Sequence, residues 1–221
     1  TFTDDFVVGA WVKLSGYADQ RIVTRMDASS GWGLYIDSSG RVTLTGYNGA
    51  YANYSQVASY QSLPLNKWVH VSAQLDMSAF TATTTTSYVM IDGVDVPSTV
   101  TRGGTNPTAL VQAGSLQVGA YNGANQPFNG KIAQPFVSSA KITQANVKLL
   151  MSQGLTPALI TAHSIVSAYS LSNSLTDLNT TSANNLTANG GVLATTADSP
   201  FGGQADGTIS TTVDYGIIQK V

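Results

Sequence analysis

Cysteine and glutamate are both missing from this 221-residue chain, and all twelve acidic residues are aspartate. Without cysteine there is no disulfide framework, so the core alone has to hold the fold. A chain of this length buries roughly 70% of its unfolded surface, which is enough. Charge is scarce, with 10% of residues charged and a net charge of −2. The ten Lys and Arg are scattered singly from Lys13 to Lys220. They leave no basic footprint for a phosphate backbone, which argues against nucleic acid as a partner. No apolar run approaches the ~18 residues of a spanning helix, and no basic amphipathic helix is visible, which argues against membrane insertion by a helix.

What the chain does have is alternation. Apolar and polar residues alternate with period two, the mark of half-buried strands. Phe6, Val8, Ala10, Val12 and Leu14 would face one way, leaving Trp11 and Lys13 on the other side. In residues 68–75, Val69, Val71, Ala73 and Leu75 would point to the core, which puts Trp68 and His70 on an outward face. Residues 155–221 are expected to cover Trp11, Trp68 and His70.

Two hairpins can be read to their register. In YVMIDGVDV, Asp92-Gly93 is the signal for a two-residue turn with both residues at positive φ. That turn pairs Ile91 with Val94 and Val89 with Val96. In GLYIDSSGRVTL a four-residue loop would set Ile36 against Arg41. A three-residue Ser38-Ser39-Gly40 loop, with Gly40 in a bulge, pairs Ile36 with Val42 and Leu34 with Leu44. Helix is rare. TQANVKLLMSQG has Thr143 as N-cap, Val147, Leu150 and Met151 at helical spacing, and Gly154 as stop. Thr156-Pro157 opens a second short helix.

Taken in order, FVVGAWVKL, RIVTRMDASSGWGLYIDSSGRVTL, LNKWVHVSAQLD, SYVMIDGVDV, GSLQVGAYN, FNGKIAQPFVSSAKIT and a short helix resemble the laminin-G-like, concanavalin A-like jelly roll over residues 2–154. The resemblance implies an all-β sandwich of two antiparallel sheets with one or two short helices. It divides the chain into a laminin-G-like sandwich at 1–154, a helical connector at 155–165 and a β segment at 166–221. In that family the tryptophan strand sits mid-domain, behind a front that is not seen before Thr1. Residues 166–221 look like that front, and either complete the same sandwich or open a second module. If they complete it, Val221 lies close to Thr1. ATTADSPFGG and VDYGIIQKV also look like stretches of phage tail and head-decorating proteins that carry such modules.

Glycosidases of the concanavalin-like class need two carboxylates, one as proton donor. No glutamate and no strand with Asp at alternate positions is present, so an enzyme is not expected. There is no G-x-S-x-G elbow, and His70 and His163 are expected to be structural. No cofactor is required. Calcium is possible, since it accepts side-chain and carbonyl oxygens together and Asp19, Asp27 and Asp37 lie on or near loops, but no spacing singles out a cage.

The candidate ligand-binding residues lie in two expected loops, GYNGAYANYSQVASYQ and GAYNGANQPFNG. They are Tyr47, Asn48, Tyr51, Tyr54, Tyr121, Asn122 and Asn125. Tyrosine rings cover the apolar face of a pyranose, and amides hydrogen-bond its hydroxyls. The expected role is a non-catalytic, virion-associated structural, decoration or adhesion protein with a lectin-like module. Its partners would be surface glycans, other virion proteins or copies of itself, and its place extracellular or on the virion surface. The alternative is a carbohydrate-binding module of a secreted bacterial enzyme or adhesin.

Overall fold

The computed structural model describes residues 5–27, 30–47, 53–76, 86–104, 110, 114–122, 125–171, 174–181, 184–189, 192–195, 200, 207–210 and 217–220. Eleven strands come first: β1 (Phe6–Leu14), β2 (Gln20–Met26), β3 (Gly31–Ile36), β4 (Arg41–Tyr47), β5 (Tyr54–Ser62), β6 (Trp68–Leu75), β7 (Tyr88–Ile91), β8 (Val94–Val96), β9 (Ser98–Gly103), β10 (Leu116–Val118) and β11 (Gly130–Ser138). Two helices follow, α1 (Gln144–Gln153) and α2 (Pro157–Ala162). The described part of the chain ends in β12 (Ile165–Ala168), β13 (Leu186–Asn189), β14 (Val192–Thr195), β15 (Gly207–Ser210) and β16 (Ile217–Lys220).

The strands form two antiparallel sheets. The first has the order β14-β15-β11-β1-β6-β7-β8, with β12 also paired to β11. The second has the order β13-β16-β10-β2-β3-β4-β5-β9. The edge of β11 is shared: β15 pairs with Lys131 and Ile132, and β12 with Phe136, Val137 and Ser138. The inward residues expected of β1 and β6 all lie in one core with Trp32, Leu34 and Ile36 of β3 and Val42 and Leu44 of β4. Phe6 and Trp32 meet there at 5.7 Å between ring centres.

Local chemistry fixes the register. Asp92 and Gly93 adopt φ of 49° and 67°, and Ile91 pairs with Val94 and Val89 with Val96. Gly40 adopts φ of 81°, and Leu34 and Ile36 meet Leu44 and Val42. In β2 the pairing with β3 shifts between Arg21 and Val23. That bulge lets the consecutive Ile22 and Val23 both enter the core while Arg21 stays on the outer side. Thr143 caps α1 by accepting the Asn146 N–H at 3.3 Å, and Thr156 caps α2 by accepting that of Leu159 at 3.4 Å.

The helices lie on the outer side of the first sheet. Val147 and Leu150 of α1, with Leu159 and Ile160 of α2, pack on Val7, Met90 and Phe136 in a second cluster. The outward face expected for His70 is therefore closed. His70 is 2% exposed, stacked at 6.3 Å on Phe136 and edge-on at 5.3 Å to Trp11. The cover begins earlier than expected, at Ile142 and α1. Gly9 makes room beneath it, because a Cβ there would lie 2.6 Å from the Phe136 ring. Thr1 and Val221, whose proximity was expected, both lie outside the described residues.

Candidate functional site

The outer face of the second sheet is built differently. None of the second cluster's residues comes from its strands. Its outward side chains are those that alternate with core residues. Tyr35 stands between Leu34 and Ile36, Thr43 and Thr45 beside Leu44, and Gln56 before Val57, each of these apolar neighbours being buried. Gly31 and Gly33, on the same side of β3 as Tyr35, bring no side chain to the face.

Tyr35 is the hub. Its hydroxyl donates to Gln56 Oε1 at 3.3 Å and lies 3.3 Å from Thr45 Oγ1, which itself donates to Gln56 Oε1 at 3.1 Å. The Arg21 guanidinium carbon sits 4.2 Å from the Tyr35 ring centre and 5.8 Å from that of Tyr121. Arg21 Nε donates to Gln126 Oε1 at 2.7 Å. A cation held between two ring faces and tied to an amide is fixed in orientation. Burial raises the Tyr35 phenol pKa, with Thr45 and Arg21 opposing, so at neutral pH Tyr35 is a neutral donor.

The segment after β10 folds back over β2. Thr24 Oγ1 donates to the Ala120 carbonyl at 2.9 Å, and the Tyr121 hydroxyl to the Asp27 carbonyl at 3.0 Å. Tyr121 and Asn125 exchange backbone hydrogen bonds at 3.0 and 3.1 Å. The Asn125 amide donates to the Asn122 carbonyl at 3.1 Å, and both asparagines are exposed. Tyr47 and Tyr54 were expected in a loop. They instead end β4 and begin β5 as a direct cross-strand pair, with ring centres 6.1 Å apart. Register sets both groups toward one end of the sheet, because Tyr47 opposes Gly31, and Gly31 opposes Met26, the residue before Asp27. Asn48 and Tyr51 lie outside the described residues.

Sequence reasoning missed Arg21, Tyr35, Gln56 and Gln126. The signal for Tyr35 and Gln56 was the outward half of an alternation read only for its inward half. The Asp residues singled out for calcium serve turns. Asp19 Oδ1 accepts the Ser38 N–H, Asp27 Oδ1 that of Ser30, and Asp37 Oδ1 those of Ser39 and Arg41. Among the described residues no three His, Asp, Glu or Cys side chains gather as a metal site would require.

Similarity to known proteins fits this architecture. No curated protein matches the sequence. Similar solved structures include a candidate carbohydrate-binding protein from Bacteroides ovatus, 18% identical with a TM-score of 0.59. That match covers 85% of this chain and 54% of that one, so the chain spans about half the length of that protein. The CBM40 of Ruminococcus gnavus IT-sialidase, bound to α2,3-sialyllactose, is 12% identical with a TM-score of 0.52 over 66% of this chain and 82% of that one. Domain 4 of AbnA, an extracellular GH43 arabinanase from Geobacillus stearothermophilus in complex with arabinotriose, is 18% identical with a TM-score of 0.50 over 66% of each. At such identities these show a shared fold. The family model for laminin-G-type domains of the concanavalin A-like lectin/glucanases superfamily matches residues 1–148. With two thirds of its length matched and both sheets in place, the chain belongs to that laminin-G-type family of the concanavalin A-like lectin/glucanases superfamily.

Proposed function

We propose that the chain is a non-catalytic carbohydrate-binding module that receives a glycan on the outer face of the second sheet. The observation that carries this reading is Arg21 held between Tyr35 and Tyr121 with the amides of Gln56 and Gln126, the Tyr47–Tyr54 pair lying four residues further along the strands on the same face. Ring faces cover the apolar side of a sugar, while the guanidinium and amides bond its hydroxyls. Asn122 and Asn125 extend the polar rim. Support comes from the fold, since the R. gnavus and G. stearothermophilus domains of this shape were solved with a saccharide bound. Such a module acts outside the cell, as part of a secreted enzyme or adhesin of the bacterial kind. A glycan array with the purified chain tests it. Tyr35→Ala and Tyr121→Ala should each abolish the signal, and a blank array, or an unchanged signal in both variants, would refute the reading.

The virion setting is a second reading, resting on the phrases ATTADSPFGG and VDYGIIQKV, which fall largely outside the described residues. Recovery of the chain in purified particles would support it, and its absence from them would end it.

A further inference from the structure

We propose that a second, smaller binding site lies on the far side of the molecule, between α2, β12 and residues 179–181, and takes a single neutral sugar ring. A cleft of about 250 Å³ opens there, lined by Ser139, Ile160, Thr161, Ser164, Ile165, Val166, Asn179 and Thr181. All but Ser139 fall beyond residues 1–148, so the site belongs to the segment that the family match does not reach.

The lining has one apolar part and one polar part. Ile160 and Ile165 are buried and Val166 is half-buried, while Ser139, Thr161, Ser164 and Thr181 are exposed. No lining residue carries a charge, so neither an anion nor a cation finds a partner in it. The Asn179 amide is held in place by the fold: one of its N–H groups donates to the Ile165 carbonyl at 2.8 Å and its Oδ1 accepts the Thr181 N–H at 3.0 Å. The Thr161, Ser164 and Thr181 hydroxyls make no hydrogen bond among the described residues and are left for a ligand. Each can donate and accept. Val166 is the residue skipped where the pairing of β12 with β11 shifts, which leaves this stretch of strand out of register beside the cleft.

An uncharged cleft with an aliphatic floor and three unused hydroxyls matches a ring that is apolar on one face and hydroxylated at its edge. Its size decides the length of ligand. Drug-sized molecules fill roughly 300–1,000 Å³, so this cleft holds one ring and not an oligosaccharide. Without an aromatic side chain in the lining, binding should be weak and fall in the millimolar range. The inference rests on the chemistry of this cleft and does not require the glycan face of the second sheet to be right.

Two-dimensional amide NMR of the full chain, titrated separately with free glucose, galactose, mannose and N-acetylglucosamine, tests it. At least one of these sugars should give saturable shifts at residues 161, 164–166 and 179–181. Thr161→Trp, an exposed position whose indole would fill the cleft, should remove those shifts and leave the rest of the spectrum intact. Thr181→Val, which deletes one hydroxyl, should weaken binding roughly three- to tenfold. No shift at these amides with any of the four sugars, shifts that never saturate, or shifts that persist in Thr161→Trp would overturn the site. Shifts confined to Arg21, Tyr35 and Gln56 would overturn it too, while supporting the other face.

Discussion

Tyr35 owes its position to its neighbours in sequence, because Leu34 and Ile36 both point into the core and the residue between them has to face out. Its hydroxyl bonds are long, so Tyr35→Phe should cost at most about 1 kcal/mol of stability. Tyr35→Ala should instead release Arg21 and eliminate glycan binding with the fold retained, as thermal melts and a binding titration would show. His70 makes a different prediction. Burial lowers its pKa from 6.5 to about 3, and its Nδ1 has no hydrogen-bond partner among the described residues. The unfolded chain therefore takes up the proton first. Stability from this residue is complete above about pH 6.5 and is lost progressively as pH falls toward 3, by up to about 1.4 kcal/mol per unit. The groups around it are Trp11, Phe136 and, through its backbone N–H, Asp92. His70→Phe keeps the stacking and should be at least as stable at pH 7, with a flatter melting temperature between pH 6.5 and 4; an unchanged acid slope would contradict the assignment. The tyrosines of the Asn-Gly segments were legible because aromatic residues stand out there. Tyr35, Arg21 and Gln56 were not, because they come from three strands that only the sheet register brings together.

Turns and caps were the most legible elements, since their chemistry is local. Only one loop length kept apolar residues paired across β3 and β4, and the Asp92-Gly93 turn required positive φ at both positions. Gly93 carries a second constraint, because a Cβ there would sit 2.7 Å from Lys148 Cγ of α1. Gly93→Ala should therefore cost about 1–3 kcal/mol and disturb the docking of α1. Thr143→Ala, which removes only the cap, should cost about 1 kcal/mol. Chemical denaturation of both variants would check the order. The extent of the helical cover was less legible for a physical reason. His70, Ser72 and Gln74 make the outer side of β6 look polar, while the apolar residues that α1 and α2 bury, Val7, Met90 and Phe136, are spread over three other strands. β15 was not read at all, since GTIS gives a four-residue window with one large apolar residue.

At the scale of the molecule, the two sheets separate two tasks: one carries the helices on its outer side, and the other presents tyrosines, amides and Arg21. Residues beyond 164 supply strands to both sheets, β12, β14 and β15 to the first and β13 and β16 to the second. A chain cut after Gly154 should therefore leave the edges of β10 and β11 without partners, lose cooperative melting and aggregate. A truncated chain that melts as sharply as the full one would place residues 166–221 in a separate module. The all-β, two-layer architecture was visible in the sequence because period-two alternation recurs along its length, whereas the chemistry of the second sheet's outer face, where Thr43 and Thr45 are buried and the tyrosines half-buried, depended on pairings between distant strands. The central claim is that the glycan lies on that face, and the most direct measurement is a crystal structure of the complex with the glycan that gives the strongest array signal. Density for the sugar against Tyr35, Tyr121 and the Tyr47–Tyr54 pair is the predicted result; density anywhere else, with that face vacant, would contradict it.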